Sequence, residues 1–229
     1  MMQKNISVVI STFNSIEWLK KVIWGYNTQT YRNFEMVITD DSFSQATFDL
    51  IEQIKKEVFF PIIYFQHSDI NLQKSSKFKK TIEYCSTAYI LVSNADCIPR
   101  PDFIEQHIKN RVEGVFLVGS SILISKNIEE KITKEFIYSS KIFESIWLKK
   151  VGLNLFVKRF LITSNGLVAF FLDTISSTEK ILKNDNLSFW KSDFEKVAEF
   201  DSPLVNSLES SVLISKNIKF RAILLKMSN

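Results

Sequence analysis

Tyr89-Ile90-Leu91-Val92-Ser93-Asn94-Ala95-Asp96-Cys97-Ile98-Pro99 is an apolar run that breaks into an acidic turn and is closed by a proline. Strand-forming residues followed at once by a carboxylate predict a buried strand with Asp96 at its C-terminal edge. That is the edge at which open α/β sheets bind ligands. A metal-bound phosphate is one guest it would take.

Upstream the same pattern recurs. Ile6 to Ser11 reads as a strand, and Asn14-Ser15-Ile16-Glu17 has the spacing of a capping box opening a helix with Ile16, Leu19, Ile23 and Tyr26 on one face. Phe34 to Thr39 is a second strand ending in Asp40-Asp41. A helix from about Ala46 to Lys56 follows, with Phe48, Ile51 and Ile54 inward, then a strand at Ile62 to Phe65 and a short basic helix from Ser75 to Cys85. Alternating strands and helices predict a parallel sheet with right-handed crossovers, wound on both faces.

Downstream, Pro101 to Asn110 reads as a helix, Val115 to Ile124 as a strand or strand pair, and Asn127 to Lys150 as a helical stretch capped by Asn127, with Phe136, Phe143 and Trp147 as buried rings. Beyond this the alternation is lost. Ser120 to Ile128 is echoed by Ser210 to Ile218, a single repeat that does not make a solenoid.

Composition narrows the classes. With 229 residues and 45% hydrophobic content the chain can bury a full core. Its 29 basic against 25 acidic residues leave a net charge of only +4, which argues against a nucleic-acid partner. Two cysteines, Cys85 and Cys97, fit neither a metal spacing nor a disulfide framework, so a reducing cytoplasm is the expected compartment. The first apolar run is too short for a signal peptide, and no export is expected. There are 5 glycines, where typical usage would give roughly 16, so turns near any phosphate must be made by other residues.

Lys149 to Ile162 mixes bulky apolar residues with cations, and Lys158 and Arg159 interrupt the only window long enough to span a bilayer. The segment reads either as a piece packed on the sheet with its cations solvated or as an interfacial contact with a membrane.

Ser93 to Phe103 resembles the metal-binding "DxD" turn of family 2 glycosyltransferases, inverting enzymes of the GT-A fold, with Asn94 in the place of the first acid. Asn186-Leu187-Ser188-Phe189-Trp190-Lys191-Ser192-Asp193-Phe194 resembles the segment preceding that family's catalytic acid, and counting on from Phe200-Asp201 places the acid at Glu209, followed by Ser210 where the family has Asp. The resemblance implies a GT-A fold: a doubly wound, mostly parallel sheet flanked by helices, with a nucleotide-sugar-binding half at 1–115 and an acceptor-binding half at 116–229.

It further implies a cytoplasmic, bacterial-type enzyme, at the inner face of the membrane if peripheral, that moves a sugar from a nucleotide diphosphate, UDP-linked by preference, to a glycan or lipid-linked acceptor with inversion. The alternative is a non-catalytic relative that keeps the fold, with or without nucleotide binding, and acts as a partner or scaffold. Glu209 is the implied base. Thr12, Asn14, Asp40, Asp41, Lys74, Lys77, Asn94 and Asp96 are the implied nucleotide-sugar contacts, and Asn186 and Trp190 lie on the acceptor side. Asp96 is the implied ligand of a divalent cation, Mn²⁺ or Mg²⁺, because hard cations want oxygen ligands.

Each assignment has a plainer counterpart. Asp96 could simply cap the turn before Pro99, and Lys74 and Lys77 could form a solvated cationic face. His67 and His107 have no ligand spacing and read as structural.

Overall fold

The computed structural model describes residues 5–42, 44–66, 74–124, 126–150, 186–199 and 223–227. Four strands, β1 (Ile6–Thr12), β2 (Phe34–Asp40), β3 (Ile62–Gln66) and β4 (Tyr89–Asn94), pair in parallel in the spatial order β3-β2-β1-β4. They are joined by α1 (Ile16–Asn27), α2 (Gln45–Ile54) and α3 (Lys74–Glu83).

Past Asp96 the chain forms the short β5 (Cys97–Pro99) and α4 (Phe103–Asn110), then β6 (Leu117–Val118) and β7 (Ser120–Ile124). After α5 (Lys134–Tyr138) and α6 (Ser145–Lys150) come β8 (Asn186–Trp190), α7 (Lys191–Glu199) and β9 (Ile223–Met227). Strand β8 runs antiparallel to β4 and carries β6 on its other side, which extends the sheet to six strands. A second sheet has the order β5-β9-β7. The first copy of the sequence repeat begins in β7, and the second lies outside the described residues.

The central strands are buried on both faces, as the near-continuous apolar runs require. Val8, Ile10, Met36 and Leu91 face a core built with Leu19, Val22 and Ile23 of α1, Ile51 and Ile54 of α2, and Phe103 and Ile104 of α4. Val9, Val37, Ile90 and Val92 face the opposite way, against Ile82 of α3 and Phe194 of α7. Helices on both faces make the sheet doubly wound and mostly parallel.

Three local expectations are corrected. The capping box does not form: the N-cap of α1 is Ser15, and its hydroxyl donates to the Phe13 carbonyl at 2.9 Å rather than accepting from a helix amide. Phe48 does not face inward. It is 43% exposed and lies against Tyr64, while Thr47 takes the buried place with Ile51 and Ile54.

The stretch 127–150 is four short pieces, two 3-10 turns at Lys126–Lys131 and Lys141–Phe143 with α5 and α6 following each. Thr133 caps α5 through a bond from the Phe136 amide, and Ser140 stops it by adopting left-handed backbone at φ 58. That conformation is usually left to glycine. Phe143 is buried, whereas Phe136 and Trp147 are half-buried and pack edge to face, 5.4 Å between ring centres.

Candidate functional site

Parallel pairing brings the C-terminal ends of β2, β1 and β4 side by side. Thr12 pairs with Asp40 and Ser11 with Asn94. Two backbone bonds carry the alignment past the strand ends: the Asp41 amide donates to the Thr12 carbonyl and the Ala95 amide to the Ser11 carbonyl, both at 3.2 Å. The loop after β1 is thus flanked by Asp41 on one side and by the Asn94–Asp96 turn on the other. The sequence places the acids at strand ends; the sheet order makes them neighbours.

The loop itself presents an aromatic ring. Phe13 is 64% exposed, and the next residue, Asn14, adopts left-handed backbone at φ 49, which asparagine tolerates better than most residues. Thr12 is 5% exposed, and its carbonyl accepts from the Asp41 amide. Phe13 lies inside the 12–14 turn but is not among the expected contacts, although an aromatic directly after a strand and before an asparagine is a usable signal.

Asp40 and Asp41 divide their labour. Asp40 was expected at the nucleotide, but it is fully buried, and its Oδ1 accepts from the amide (2.8 Å) and hydroxyl of Ser42 while its Oδ2 accepts from the Tyr64 hydroxyl at 3.0 Å. An aspartate bonded to the amide two residues on closes its own turn, so Asp40 holds the turn and Asp41 is the residue presented at the rim. Burial and the bond to Asp40 push the Tyr64 hydroxyl up to about 12, so it remains a donor.

Asp41 is met by Lys77 of α3, whose Nζ donates to Asp41 Oδ1 at 3.1 Å. A carboxylate acceptor and an ammonium donor therefore stand side by side next to the Phe13 loop. Lys74 opens α3. Glu209 and Lys149 to Ile162 beyond residue 150 fall outside the described residues, as do Phe43 and His67.

On the other flank Asn94 ends β4, and Asp96, half-buried, sits in the turn to β5 with its Oδ1 accepting from the Cys97 thiol at 3.1 Å. Among the described residues no group of three His, Cys, Asp or Glu side chains could enclose a metal ion. One carboxylate and one amide oxygen, two residues apart at a strand edge, suit instead a hard cation that takes its remaining ligands from phosphate and water, as Mg²⁺ usually does. The donor set fits a cation carried by a diphosphate.

The two residues expected on the acceptor side lie at opposite ends of β8. Asn186 stands level with Ser93, near the ligand edge, but is 2% exposed, and its Oδ1 accepts from His107 Nε2 at 2.9 Å. Trp190 pairs with Tyr89 at the other end of β4, roughly 13 Å away along the strand. There it packs edge-on against Tyr89, 5.0 Å between centres, with Arg111 over its face. That is the end of the strand away from Asn94 and Asp96.

His107 is structural, as expected. The carbonyl oxygen of Asn186 can only accept, so Nε2 carries the proton and Nδ1 accepts from the Ser188 hydroxyl at 2.7 Å; Ser188 in turn takes the Tyr89 hydroxyl at 2.8 Å. Burial holds the imidazole down at about 3, so it is neutral at ordinary pH.

This sheet, with its acidic turn after the fourth strand and its antiparallel extension, is the GT-A fold. The mannosyltransferase PcManGT from Pyrobaculum calidifontis, solved with GDP-Man and Mn²⁺, superposes over 99% of this chain and 57% of its own with a TM-score of 0.60 at 10% identity. TarS 1-349 of S. aureus, solved with UDP, does so over 98% of this chain and 61% of its own with a TM-score of 0.58 at 11% identity. The Glycosyl transferase family 2 model matches residues 7–163, and the chain belongs to that family.

A curated relative from Methanococcus voltae is 28% identical over 158 residues, 64% of this chain. It is named dolichyl N-acetyl-alpha-D-glucosaminyl phosphate 3-beta-D-2,3-diacetamido-2,3-dideoxy-beta-D-glucuronosyltransferase. The chain spans about half the length of that relative, 49%.

Proposed function

We propose that the chain transfers a sugar, with inversion, from a nucleotide diphosphate donor to a glycan or lipid-linked acceptor. The observation that carries this reading is the edge where Phe13, Asp41 with Lys77, and Asn94 with Asp96 surround the end of β1. Phe13 offers a face for a base to stack on. Asp41 would accept from a ring N–H and Lys77 would donate to the neighbouring carbonyl, a pairing that uracil and guanine both satisfy.

Asp96 and Asn94 would hold a divalent cation against the diphosphate, and that cation, when bound, neutralises the leaving group. In the transfer step the acceptor oxygen bonds to the anomeric carbon as the bond to the diphosphate breaks. The Glu209 carboxylate takes the hydroxyl proton. Residues from 116 onward, which extend the sheet through β6 and β8, would form the acceptor half.

UDP is the preferred donor carrier, and the structural likeness to a protein solved with GDP-Man makes GDP the competitor to test. The relative named for a dolichyl phosphate acceptor supports a lipid-linked one here. Calorimetry with UDP, GDP, ADP and CDP in Mn²⁺, followed by donor hydrolysis across sugar nucleotides, tests the reading. Binding of ADP or CDP as tight as UDP would remove Asp41 and Lys77 from base recognition, and no binding of any would end the proposal.

A second reading is favoured by one observation, the amide of Asn94 where a second carboxylate would strengthen the cation site. In it the chain binds the nucleotide and acts as a scaffold without turnover. Nucleotide binding with no hydrolysis or transfer of any donor would favour it.

A further inference from the structure

The Asn94–Asp96 turn is held from both sides. In front, the Ala95 amide bonds to β1; behind, β5 lies directly on the α1 backbone. A side chain at Gly25 would place its Cβ 2.8 Å from Pro99 Cδ and 2.9 Å from Ile98 Cγ2, closer than a Cβ can sit, so glycine lets the Ile98 and Pro99 side chains pack onto the α1 backbone there. Four residues on, Gln29 reaches into the same junction and is fully buried.

The Gln29 side chain ties the end of α1 to the segment after β5, adding to the bond that the Phe103 amide already makes to the Arg100 carbonyl. Its Nε2 donates to the Arg100 carbonyl at 2.8 Å and lies 3.4 Å from the Gly25 carbonyl. Its Oε1 accepts from the Ile104 amide at 2.9 Å. Asp102, at the N-cap of α4, makes no side-chain capping bond because its carboxylate is paired with the Arg100 guanidinium. The side-chain amide of Gln29 therefore caps α4 from the segment just past the end of α1 and bonds the carbonyl four residues after Asp96. Thr30 adds a bond from its own amide to the Pro101 carbonyl at 2.8 Å.

We propose that Gln29 is a positioning residue for Asp96: it clamps residues 98–104 to α1, so that the carboxylate is presented at a fixed place beside the loop that begins the same helix. Helix α1 is the rigid connection, since its N-terminus follows Asn14 at the ligand edge and its C-terminus carries the clamp. The inference rests on the reading of Asp96 as the residue that meets the cation and diphosphate. Loosening the clamp lets the turn move relative to the nucleotide loop and spreads the carboxylate over positions that do not engage the cation.

The experiment compares wild type with Gln29→Met, which keeps the size but removes donor and acceptor, and with Gln29→Glu, which keeps an acceptor for the Ile104 amide. Hydrogen exchange without ligand is expected to quicken at residues 95–104 in Gln29→Met and not in β1 or β2. In calorimetry, the gain in UDP affinity on adding Mn²⁺ is expected to fall about tenfold, the lower end of what loss of an outer support costs a metal site, with affinity in EDTA unchanged. A residue that only stabilises the fold would lower the melting temperature and leave that gain intact.

Unchanged exchange, or faster exchange with an unchanged Mn²⁺ gain, overturns the proposal. Should Gln29→Met fail to fold, Gln29→Glu is read by the same two criteria. If wild type binds UDP equally with and without Mn²⁺, it is the reading of Asp96 that has failed, and the exchange measurement alone then decides whether Gln29 holds the turn.

Discussion

Lys77 of α3 donates to Asp41 at the end of β2 across 3.1 Å, with the lysine side chain 15% exposed and the aspartate 41% exposed. The pair joins a helix to a strand end at the ligand edge. An ion pair this open on one side contributes at most about 1 kcal/mol to stability. Its weight lies in what it presents to a ligand.

Asp41→Asn and Lys77→Met are therefore expected to change the melting temperature little while each weakens UDP binding about tenfold or more, since a hydrogen bond to a charged group is worth about 1.5–3 kcal/mol. Thermal melts and calorimetry on the same samples check this. A large loss of stability with unchanged UDP affinity would make the pair structural.

Asp96→Ala is expected to abolish the effect of Mn²⁺ on UDP affinity, and Asn94→Asp to enlarge it, because a second carboxylate replaces a neutral amide oxygen beside the cation. Calorimetry with and without Mn²⁺ reads both. Equal affinity of wild type and Asp96→Ala would take Asp96 out of the site.

Glu209→Gln should leave nucleotide binding intact and cut turnover by about 10² to 10⁴, the usual worth of a general base. Ser210→Asp together with Asn94→Asp should raise turnover. Donor hydrolysis is the assay until an acceptor is found. An active Glu209→Gln would remove Glu209 as the base.

His107 makes stability depend on pH. Its folded value lies near 3 against an ordinary 6.5, with burial as the main cause, so between these values the unfolded chain binds a proton that the folded chain refuses. The stability this contributes is present above about pH 6.5 and is lost as pH falls toward 3, at no more than about 1.4 kcal/mol per unit. Urea unfolding of wild type and His107→Gln at several pH values should show the wild-type advantage shrinking in acid. A difference constant from pH 7 to 4 would contradict it.

If the acceptor is lipid-linked, the basic-apolar segment from Lys149 to Ile162 should favour anionic membrane surfaces, where each cation contributes about 1 kcal/mol. Liposome co-sedimentation with neutral and anionic lipid, repeated with Lys158 and Arg159 neutralised, decides this. Sedimentation indifferent to lipid charge would end the membrane reading.

The sequence by itself determined the alternation of strand and helix through Tyr89, because apolar runs of period 2 and 3.6 are local signals, and it placed Asp41, Asn94 and Asp96 at strand ends, because a carboxylate closing a buried run has nowhere else to go. What only the tertiary structure decided is which of these residues meet. Two adjacent aspartates look alike in a sequence, yet Asp40 is consumed by Ser42 and Tyr64 while Asp41 faces outward, since Tyr64 comes from another strand. Asn186 and Trp190 lie four residues apart in one motif, yet the antiparallel register sends them to opposite ends of β4. The clamp of Gln29 on residues 100–104 joins positions about seventy apart, and a contact of that separation leaves no trace in local pattern because it is set by which helix packs on which turn.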